Sequence, residues 1–177
     1  PVPPTDTPVP NPQARAFFAM AYDSESDRVV LFGGELGRAW SLALGDDTWS
    51  YDPVTNRWVQ MNPSMRPSGR AAHDMVYDTE SDRIILFGGV DETFDGDKTT
   101  WAYDFNTDTW TKQAAGPAAR QAPRMAYDTE SDRVILFGGE FAQPGGFGAR
   151  LNDTWAYDFN TDSWTEMKPS ISPPAQF

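Results

Sequence analysis

Three arginines recur at matched places in the sequence. Arg15, Arg70 and Arg120 each stand seven residues before the tyrosine of a Tyr-Asp pair. A guanidinium group presents a planar fork of donors that suits bidentate capture of carboxylates. One hypothesis is therefore that these arginines bind an acidic peptide or a small anionic ligand. The structural alternative is that each arginine bonds carbonyls or acidic side chains of a neighbouring loop, such as Glu35 and Glu140.

Aromatic residues in three variable loops form a second candidate binding set. Each loop follows a Gly-Gly pair and is otherwise polar or rich in glycine. The rings are Trp40 in ELGRAWSLALGD, Phe94 in VDETFDGDK and Phe147 in EFAQPGGFGAR. Exposed aromatic rings on variable loops are typical of recognition surfaces. The alternative is that these rings fold back over their own sheet or against a partner.

The sequence offers little for catalysis. Cysteine is absent and His73 is the single histidine, which excludes a thiol nucleophile and a histidine-rich metal centre within one chain. His73 lies near Asp74, but no serine, cysteine or second histidine stands at a matched place, so we retain it only as a candidate ligand-binding residue. The acidic loop at 91–97 departs from the spacing of a calcium-binding loop. We predict no catalytic residue, no metal site, no cofactor and no enzymatic activity.

The balance of charge limits the partners. The 177-residue chain has 14 Lys and Arg against 26 Asp and Glu, a formal net charge of -12. This charge disfavours contact with nucleic-acid phosphates and anionic lipid, and no apolar run approaches the length of a membrane span. The predicted partners are proteins or peptides, with no nucleic acid and no membrane. The Pro- and Thr-rich beginning and the lack of cysteine favour a secreted or cell-surface location.

Four landmarks repeat along the chain with a period of about 50 residues. Tyr-Asp pairs begin at 22, 77 and 127, Gly-Gly pairs at 33, 88 and 138, and tryptophans follow at 49, 101 and 155 and again at 58, 110 and 164. Such a period indicates a repeat architecture. Each unit contains four strand-like stretches separated by turn residues, as in RMAYD, DRVILFGG, DTWAYDF and SWTEM. We therefore predict an all-β fold with one four-stranded antiparallel sheet per unit.

These landmarks resemble the Kelch repeat. The resemblance rests on V/I-L-F-G-G, a variable loop, D/T-T-W-x-Y-D, a short turn and a second Trp. It implies β-propeller blades at residues 15–61, 62–113 and 114–168, with a Pro-rich linker or strap at 1–14 and a connector at 169–177. It also implies that the innermost strand of each blade lines a central channel, with the three arginines around the channel mouth. The Gly-His and Trp-Asp signatures of WD40 propellers are absent at the corresponding places.

Three blades resemble half of a ring, because Kelch propellers close with about five to seven blades, most often six. An arc of three blades leaves two aromatic blade faces uncovered. We predict that two chains close head to tail into a six-bladed homodimer. The alternative is that the chain is a piece of a longer protein that supplies the other blades.

The leading functional hypothesis is a non-enzymatic scaffold that recognises a protein or peptide through its loops and channel mouth. A second hypothesis is a structural half-propeller that assembles with itself. A third is an enzyme that acts on a sugar or small anion, since the family the chain resembles includes oxidases and epimerases. The copper oxidase site of that family needs a cysteine and two histidines, which this chain lacks.

Overall fold

The computed structural model describes residues 11–37, 43–143 and 146–175, with the backbone alone for residues 142, 143, 146 and 147. Every regular element in these ranges is a β-strand, and they contain no helix that could cross a membrane. The strands form three four-stranded antiparallel sheets, one for each repeat unit. The predictions of an all-β fold and of three such blades in the chain are therefore confirmed.

The four main strands of each blade lie in chain order across the sheet. Blade 1 comprises β1 (Arg15–Ala16), β2 (Ala19–Asp23), β3 (Arg28–Phe32), β4 (Glu35–Leu36), β5 (Thr48–Asp52) and β6 (Arg57–Gln60). Blade 2 comprises β7 (Ala71–Asp78), β8 (Arg83–Val90), β9 (Thr99–Asp104) and β10 (Thr109–Ala115). Blade 3 comprises β11 (Arg120–Gln121), β12 (Arg124–Asp128), β13 (Arg133–Phe137), β14 (Glu140–Gln143), β15 (Gly146–Arg150), β16 (Thr154–Asp158) and β17 (Ser163–Met167). The sheets are β2-β3-β5-β6, β7-β8-β9-β10 and β12-β13-β16-β17, with short extra pairings of β1 with β4 and of β14 with β11 and β15.

The Tyr-Asp pairs build the turns. In the first turn of blade 1, the Asp23 carboxylate accepts hydrogen bonds from the backbone N–H groups of Glu25 and Ser26 at 3.0 and 3.1 Å. The Tyr22 hydroxyl donates to the carboxylate of Asp27 at 2.8 Å, and Asp27 has a left-handed φ of 54°. Aspartate and asparagine tolerate this conformation better than most residues. The same bond from Tyr to the Asp or Asn five residues later recurs in the other turns, so the repeated pair has a structural purpose.

Adjacent blades pack face to face through the second tryptophan of the following blade. Between blades 1 and 2, the rings of Phe32 and Trp110 have centroids 5.2 Å apart. The indole N–H of Trp110 donates to Thr48 Oγ1 at 3.0 Å across the same interface. Trp164 repeats this bond to Thr100 at 2.9 Å between blades 2 and 3. The hydrophobic core is therefore divided between the two blade interfaces rather than collected in one centre.

In blades 1 and 2, the first glycine of the pair lets the next blade approach. A Cβ on Gly33 would lie 2.8 Å from the carbonyl oxygen of Arg70, and a Cβ on Gly88 would lie 2.8 Å from that of Arg120. The φ angles of these glycines are 69° and 79°, which other residues rarely adopt. Because the blades meet closely here, β7 contacts both β2 and β12, and these three strands form the inner wall of the arc.

Candidate functional site: the loop face

One end of the blades carries both the connectors that precede each first strand and the loops that follow each glycine pair. The antiparallel order of strands within a blade brings these segments to the same end. We call this end the loop face. Among the described residues it comprises 11–18, 33–37, 43–47, 62–72, 88–98, 114–122, 138–141 and 148–153. The opposite end carries the two tight turns of each blade.

The three recurrent arginines all lie on the loop face, and each makes the same two kinds of contact. The guanidinium groups of Arg15, Arg70 and Arg120 donate to the carbonyl oxygen of the first glycine of their own blade, at 2.8, 3.1 and 2.9 Å. Each also forms an ion pair with an aspartate just before the third main strand. The partners are Asp47, Asp97 and Asp153, at 2.7 Å in each case. All three arginine side chains are almost fully buried.

These ion pairs tie each connector to the base of the adjacent loop. The acidic partners are aspartates rather than Glu35 or Glu140, the two residues considered from the sequence. Burial alone would raise the pKa of Asp153, but hydrogen bonds from Arg120 and Trp155 and the charge of Arg120 hold that pKa below its usual value. The guanidinium groups are engaged by protein groups, so the geometry favours the structural alternative over direct capture of an acidic ligand.

Of the three candidate loop aromatics, only Phe94 has a side chain that the structure describes. Phe94, between β8 and β9, has an exposed side chain and a left-handed φ of 61°. Trp40 lies outside the described residues, and so does the side chain of Phe147, whose backbone belongs to β15. Phe141 in β14 is a further exposed aromatic on this face. The sequence-based hypothesis named Phe147 of the same loop rather than Phe141. Phe94 and Phe141 thus present two rings to solvent.

The acidic loop between β8 and β9 is organised by its own hydrogen bonds. The Asp91 carboxylate accepts the backbone N–H groups of Thr93 and Asp95 at 2.8 and 3.0 Å, while Asp97 binds Arg70. A shallow pocket of about 110 Å³ lies beside this loop. Within the described residues there is no group of three or more acidic or histidine side chains arranged to hold a metal ion.

His73 lies inside the interface between blades 1 and 2. It is only 3% exposed, and its ring packs edge-on against Phe32 with centroids 5.7 Å apart. Neither ring nitrogen has a hydrogen-bond partner among the described residues. Burial, and then the charge of Arg70, lower the pKa of His73 to about 3, and the nearby Phe32 carbonyl opposes this shift without reaching hydrogen-bond geometry. This placement supports neither acid–base chemistry nor the predicted ligand-binding role.

The buried histidine should make the fold sensitive to mild acid. The unfolded chain binds the His73 proton with an ordinary pKa near 6.5, whereas the folded chain binds it with a pKa of about 3. The contribution of neutral His73 to the free energy of unfolding is therefore fully present above pH 6.5. It is lost as the pH falls towards 3, by up to about 1.4 kcal/mol per pH unit. We expect urea unfolding to show a loss of about 2 to 3 kcal/mol between pH 6.5 and 4.5.

His73→Leu is the matched control for this pH dependence, since every other titratable group is retained. The free energy of unfolding of the variant should change little over the same pH range. A variant that loses as much stability as the parent chain would show that other groups cause the acid sensitivity.

A set of residues on the inner edge of the loop face was not identified from the sequence. Phe17, Ala72 and Ala122 each stand five residues before the tyrosine of their unit and have φ angles of 55°, 56° and 49°. Such angles are uncommon for these residue types and persist only where the surrounding structure enforces them. The N–H of Ala72 donates to the Phe17 carbonyl at 2.8 Å, and the N–H of Ala122 donates to the Ala72 carbonyl at 2.7 Å. A line of backbone hydrogen bonds therefore runs from blade to blade. Equal spacing was the main signal in the sequence, because blade 1 has Phe where blades 2 and 3 have Ala.

A pocket of about 500 Å³ opens where this line reaches blade 3. Its walls include Ala122, Phe137 and Gly139 from that blade, together with Phe17 from blade 1 and Pro173 from the C-terminal segment. The charged groups of Arg124 and Glu140 also line it. The pocket therefore joins the inner edge of the loop face to the outer side of blade 3.

A comparison with family models gives one decisive match. The description of the matching family is the KLHDC2/KLHL20/DRC7 Kelch-repeats domain, and the match covers residues 27–177. The chain belongs to the Kelch-repeat family. The family resemblance predicted from the repeated motifs is thus confirmed, and Kelch-repeat domains typically serve as protein-interaction scaffolds.

Two curated proteins are similar to the chain over only part of their own length. Kelch domain-containing protein 10 of Xenopus tropicalis is 26% identical over 156 residues, which are 84% of this chain and 36% of that protein. Mei4-dependent protein 6 of Schizosaccharomyces pombe (strain 972 / ATCC 24843) is 32% identical over 104 residues, 55% of this chain and 14% of that protein. The chain therefore spans well under two thirds of the length of either relative.

Proposed function

We propose that this Kelch-repeat chain is a non-enzymatic scaffold that binds a protein or peptide through its loop face and the adjoining channel mouth. The observation that carries the proposal is the exposure of Phe94 and Phe141 on one face. The buried side chains of Arg70 and Arg120 hold the ends of these loops through ion pairs with Asp97 and Asp153. Aromatic anchors held on a rigid framework lose little conformational entropy on binding. Membership in a family of protein-interaction scaffolds supports the same conclusion.

Electrostatics favours a ligand with basic residues beside apolar ones. The three recurrent arginines are neutralised by aspartates, whereas Glu92 and Asp95 flank the exposed ring of Phe94 in the sequence. The chain as a whole carries a formal net charge of -12. Complementary charge speeds encounter and improves discrimination between partners. This revises the hypothesis of an acidic ligand, which depended on free guanidinium groups.

A displayed library of random peptides tests the proposal. We expect selection on the parent chain to enrich related sequences that contain Lys or Arg and an apolar residue. Phe94→Ser should weaken binding of the selected peptides about tenfold or more. Val54→Ser is the control, since Val54 is an exposed apolar residue in a turn at the opposite end of blade 1. Selected peptides that bind the parent chain and Phe94→Ser equally well would place the binding surface elsewhere. A failure to enrich any sequence would argue against a peptide-binding scaffold.

We further propose that a second copy of the chain completes the ring, so that two chains form a six-bladed homodimer. Blades 1 and 3 have a neighbouring blade on one side only within the described residues, and this supports a partner at each end of the arc. A structural half-propeller that assembles mainly with itself is the second candidate function. It depends on the same end faces and does not require the loop aromatics.

A further inference from the structure

The two internal blade interfaces are built from one complementary pair of faces. On the side towards the preceding blade, each blade presents a Met, a Tyr and the second Trp; we call this the Trp face. It consists of Met75, Tyr77 and Trp110 in blade 2 and of Met125, Tyr127 and Trp164 in blade 3. On the side towards the following blade lies the Thr face, which consists of Phe32 and Thr48 in blade 1 and of Phe87 and Thr100 in blade 2. Each internal interface joins one Trp face to one Thr face.

The two ends of the arc carry one unused copy of each face, with the same residue types. Blade 1 has a Trp face at Met20, Tyr22 and Trp58, and blade 3 has a Thr face at Phe137 and Thr154. The Trp face of blade 1 is exposed, whereas the equivalent face of blade 2 is buried against blade 1. Met20 and Tyr22 are 49% and 52% exposed, whereas their equivalents Met75 and Tyr77 are 5% and 8% exposed. The same set of apolar side chains is therefore buried between blades 1 and 2 and exposed on the open side of blade 1. An exposed apolar patch of this kind is unusual unless a partner covers it.

The backbone hydrogen bonds that run from blade to blade at the inner edge of the loop face also favour a contact between the two open faces. Each bond runs from the N–H of one blade to the carbonyl of the blade before it, at Phe17, Ala72 and Ala122. Continuing the pattern would place the N–H of Phe17 from an incoming blade on the Ala122 carbonyl. That carbonyl belongs to a residue that lines the pocket of about 500 Å³ beside Phe137.

We infer that this pocket receives the Phe17–Phe18 segment of a second copy, and that Trp58 of that copy donates its indole N–H to Thr154. Phe18 stands at the position of His73, four residues before the tyrosine of its unit. His73 packs its ring on Phe32, so Phe18 of the incoming copy would pack on Phe137 in the same way. The inference rests on the proposed closure of the ring by a second copy and assigns the contacts that make it. Because one chain carries both faces, two copies form two identical junctions and leave no face unused.

One local rearrangement accompanies docking. Pro12, Pro67 and Pro117 each stand three residues before a recurrent arginine, and Pro67 and Pro117 are buried. At the open end of blade 3, Pro173 lies exposed beside Phe137. Pro12 of the incoming copy arrives at this place with its own first strand, so residues 169–175 of the receiving copy must move aside. A chain shortened after residue 168 should therefore associate more tightly, by about tenfold.

Light scattering over a dilution series measures the association. The parent chain should show twice the mass of one chain at high concentration. Trp58→Ala, on the Trp face, and Phe137→Asp, on the Thr face, should each raise the dissociation constant about 100-fold. The far-ultraviolet circular dichroism of both variants should remain that of the parent chain, because both residues are only partly buried in one chain. Val54→Ser, outside both faces, should dimerise normally.

Mixing the two variants gives the most specific result. A Trp58→Ala chain and a Phe137→Asp chain together keep one intact Trp face and one intact Thr face, which can form one intact junction. Their equimolar mixture should therefore form a dimer at a concentration where neither variant does so alone. A mixture that stays at the mass of one chain would overturn the assignment of two separate faces.

The remaining outcomes separate this inference from the proposals on which it rests. A parent chain that stays monomeric at every concentration would overturn closure by a second copy and would assign the two faces to blades of a longer protein. A dimer that both variants leave unchanged would overturn the assigned contacts alone. A mass that keeps growing with concentration would show that the arcs do not close in pairs. None of these results alters the peptide test of the loop face.

Discussion

Trp110→Ala should lower the free energy of unfolding by about 4 kcal/mol, because removal of a fully buried tryptophan leaves a cavity between two blades. Trp110 is 2% exposed, and its ring packs on Phe32 and on Tyr103 of its own blade at centroid distances of 5.2 and 4.9 Å. Its indole N–H also satisfies Thr48 Oγ1. Urea unfolding followed by far-ultraviolet circular dichroism measures the loss without depending on tryptophan fluorescence.

Trp58→Ala is the matched control, since Trp58 occupies the same position in blade 1 but faces no preceding blade within the described residues. Its ring packs on Tyr51 of the same blade, with centroids 5.1 Å apart. At a concentration where the parent chain is a monomer, this change should cost about 1 kcal/mol. Equal losses for Trp58→Ala and Trp110→Ala would show that packing between blades is not what the second tryptophan contributes. Trp110→Phe, which keeps most of the ring, should lose about 1 to 2 kcal/mol and provides a measurement if Trp110→Ala does not fold.

Asp153→Asn should destabilise the fold by about 3 kcal/mol, because it leaves the buried guanidinium of Arg120 without its counter-charge. The side chain of Arg120 is 1% exposed and that of Asp153 is 26% exposed. Their two hydrogen bonds, at 2.7 and 2.8 Å, have the parallel geometry of the strongest Arg–carboxylate pairs. Urea unfolding at pH 7.5 measures this loss, and the loop after Gly139 should become more accessible to proteolysis as its anchor weakens.

Asp46→Asn provides the surface comparison. The ion pair of Asp46 with Arg66 has a similar distance, 2.9 Å, but both side chains are largely exposed. Solvent-exposed pairs contribute little, so this change should alter the free energy of unfolding by less than about 0.5 kcal/mol. Equally small losses of stability for Asp153→Asn and Asp46→Asn would show that Arg120 forms other contacts in the Asp153 variant. The recurrent ion pairs would then not be what stabilises the loop face.

Local features of the fold could be predicted from the sequence because their causes lie within a few residues of one another. The Tyr-Asp pairs specify tight turns, since the Asp23 carboxylate bonds N–H groups two and three residues later and the Tyr22 hydroxyl reaches Asp27, five residues later. The four strands of each unit follow from the alternation between such turns. The repeat period then implied that the units pack on one another. These predictions needed no knowledge of distant contacts.

The candidate site was predicted less well because its contacts join distant parts of the chain. Arg120 and Asp153 are 33 positions apart, and nothing in the spacing favoured Asp153 over Glu140 as the partner. His73 could be identified as chemically unusual, but its burial against Phe32 depends on the packing of one blade on another. Blade 1 has Phe17 where blades 2 and 3 have Ala72 and Ala122, and neither residue type favours a left-handed backbone, so this shared conformation became visible only in three dimensions.

The sequence by itself determined the family, the strand count of each blade and the turn chemistry, because all of these follow from short-range periodicity and local hydrogen bonding. Only the tertiary structure decided that the arginines are neutralised and that the histidine is buried. It also showed that the face formed by Met20 and Tyr22 is exposed while its equivalent at Met75 and Tyr77 is not. The physical reason is that charge neutralisation and burial depend on which surfaces meet, and identical repeats have different neighbours at the middle and at the ends of an arc.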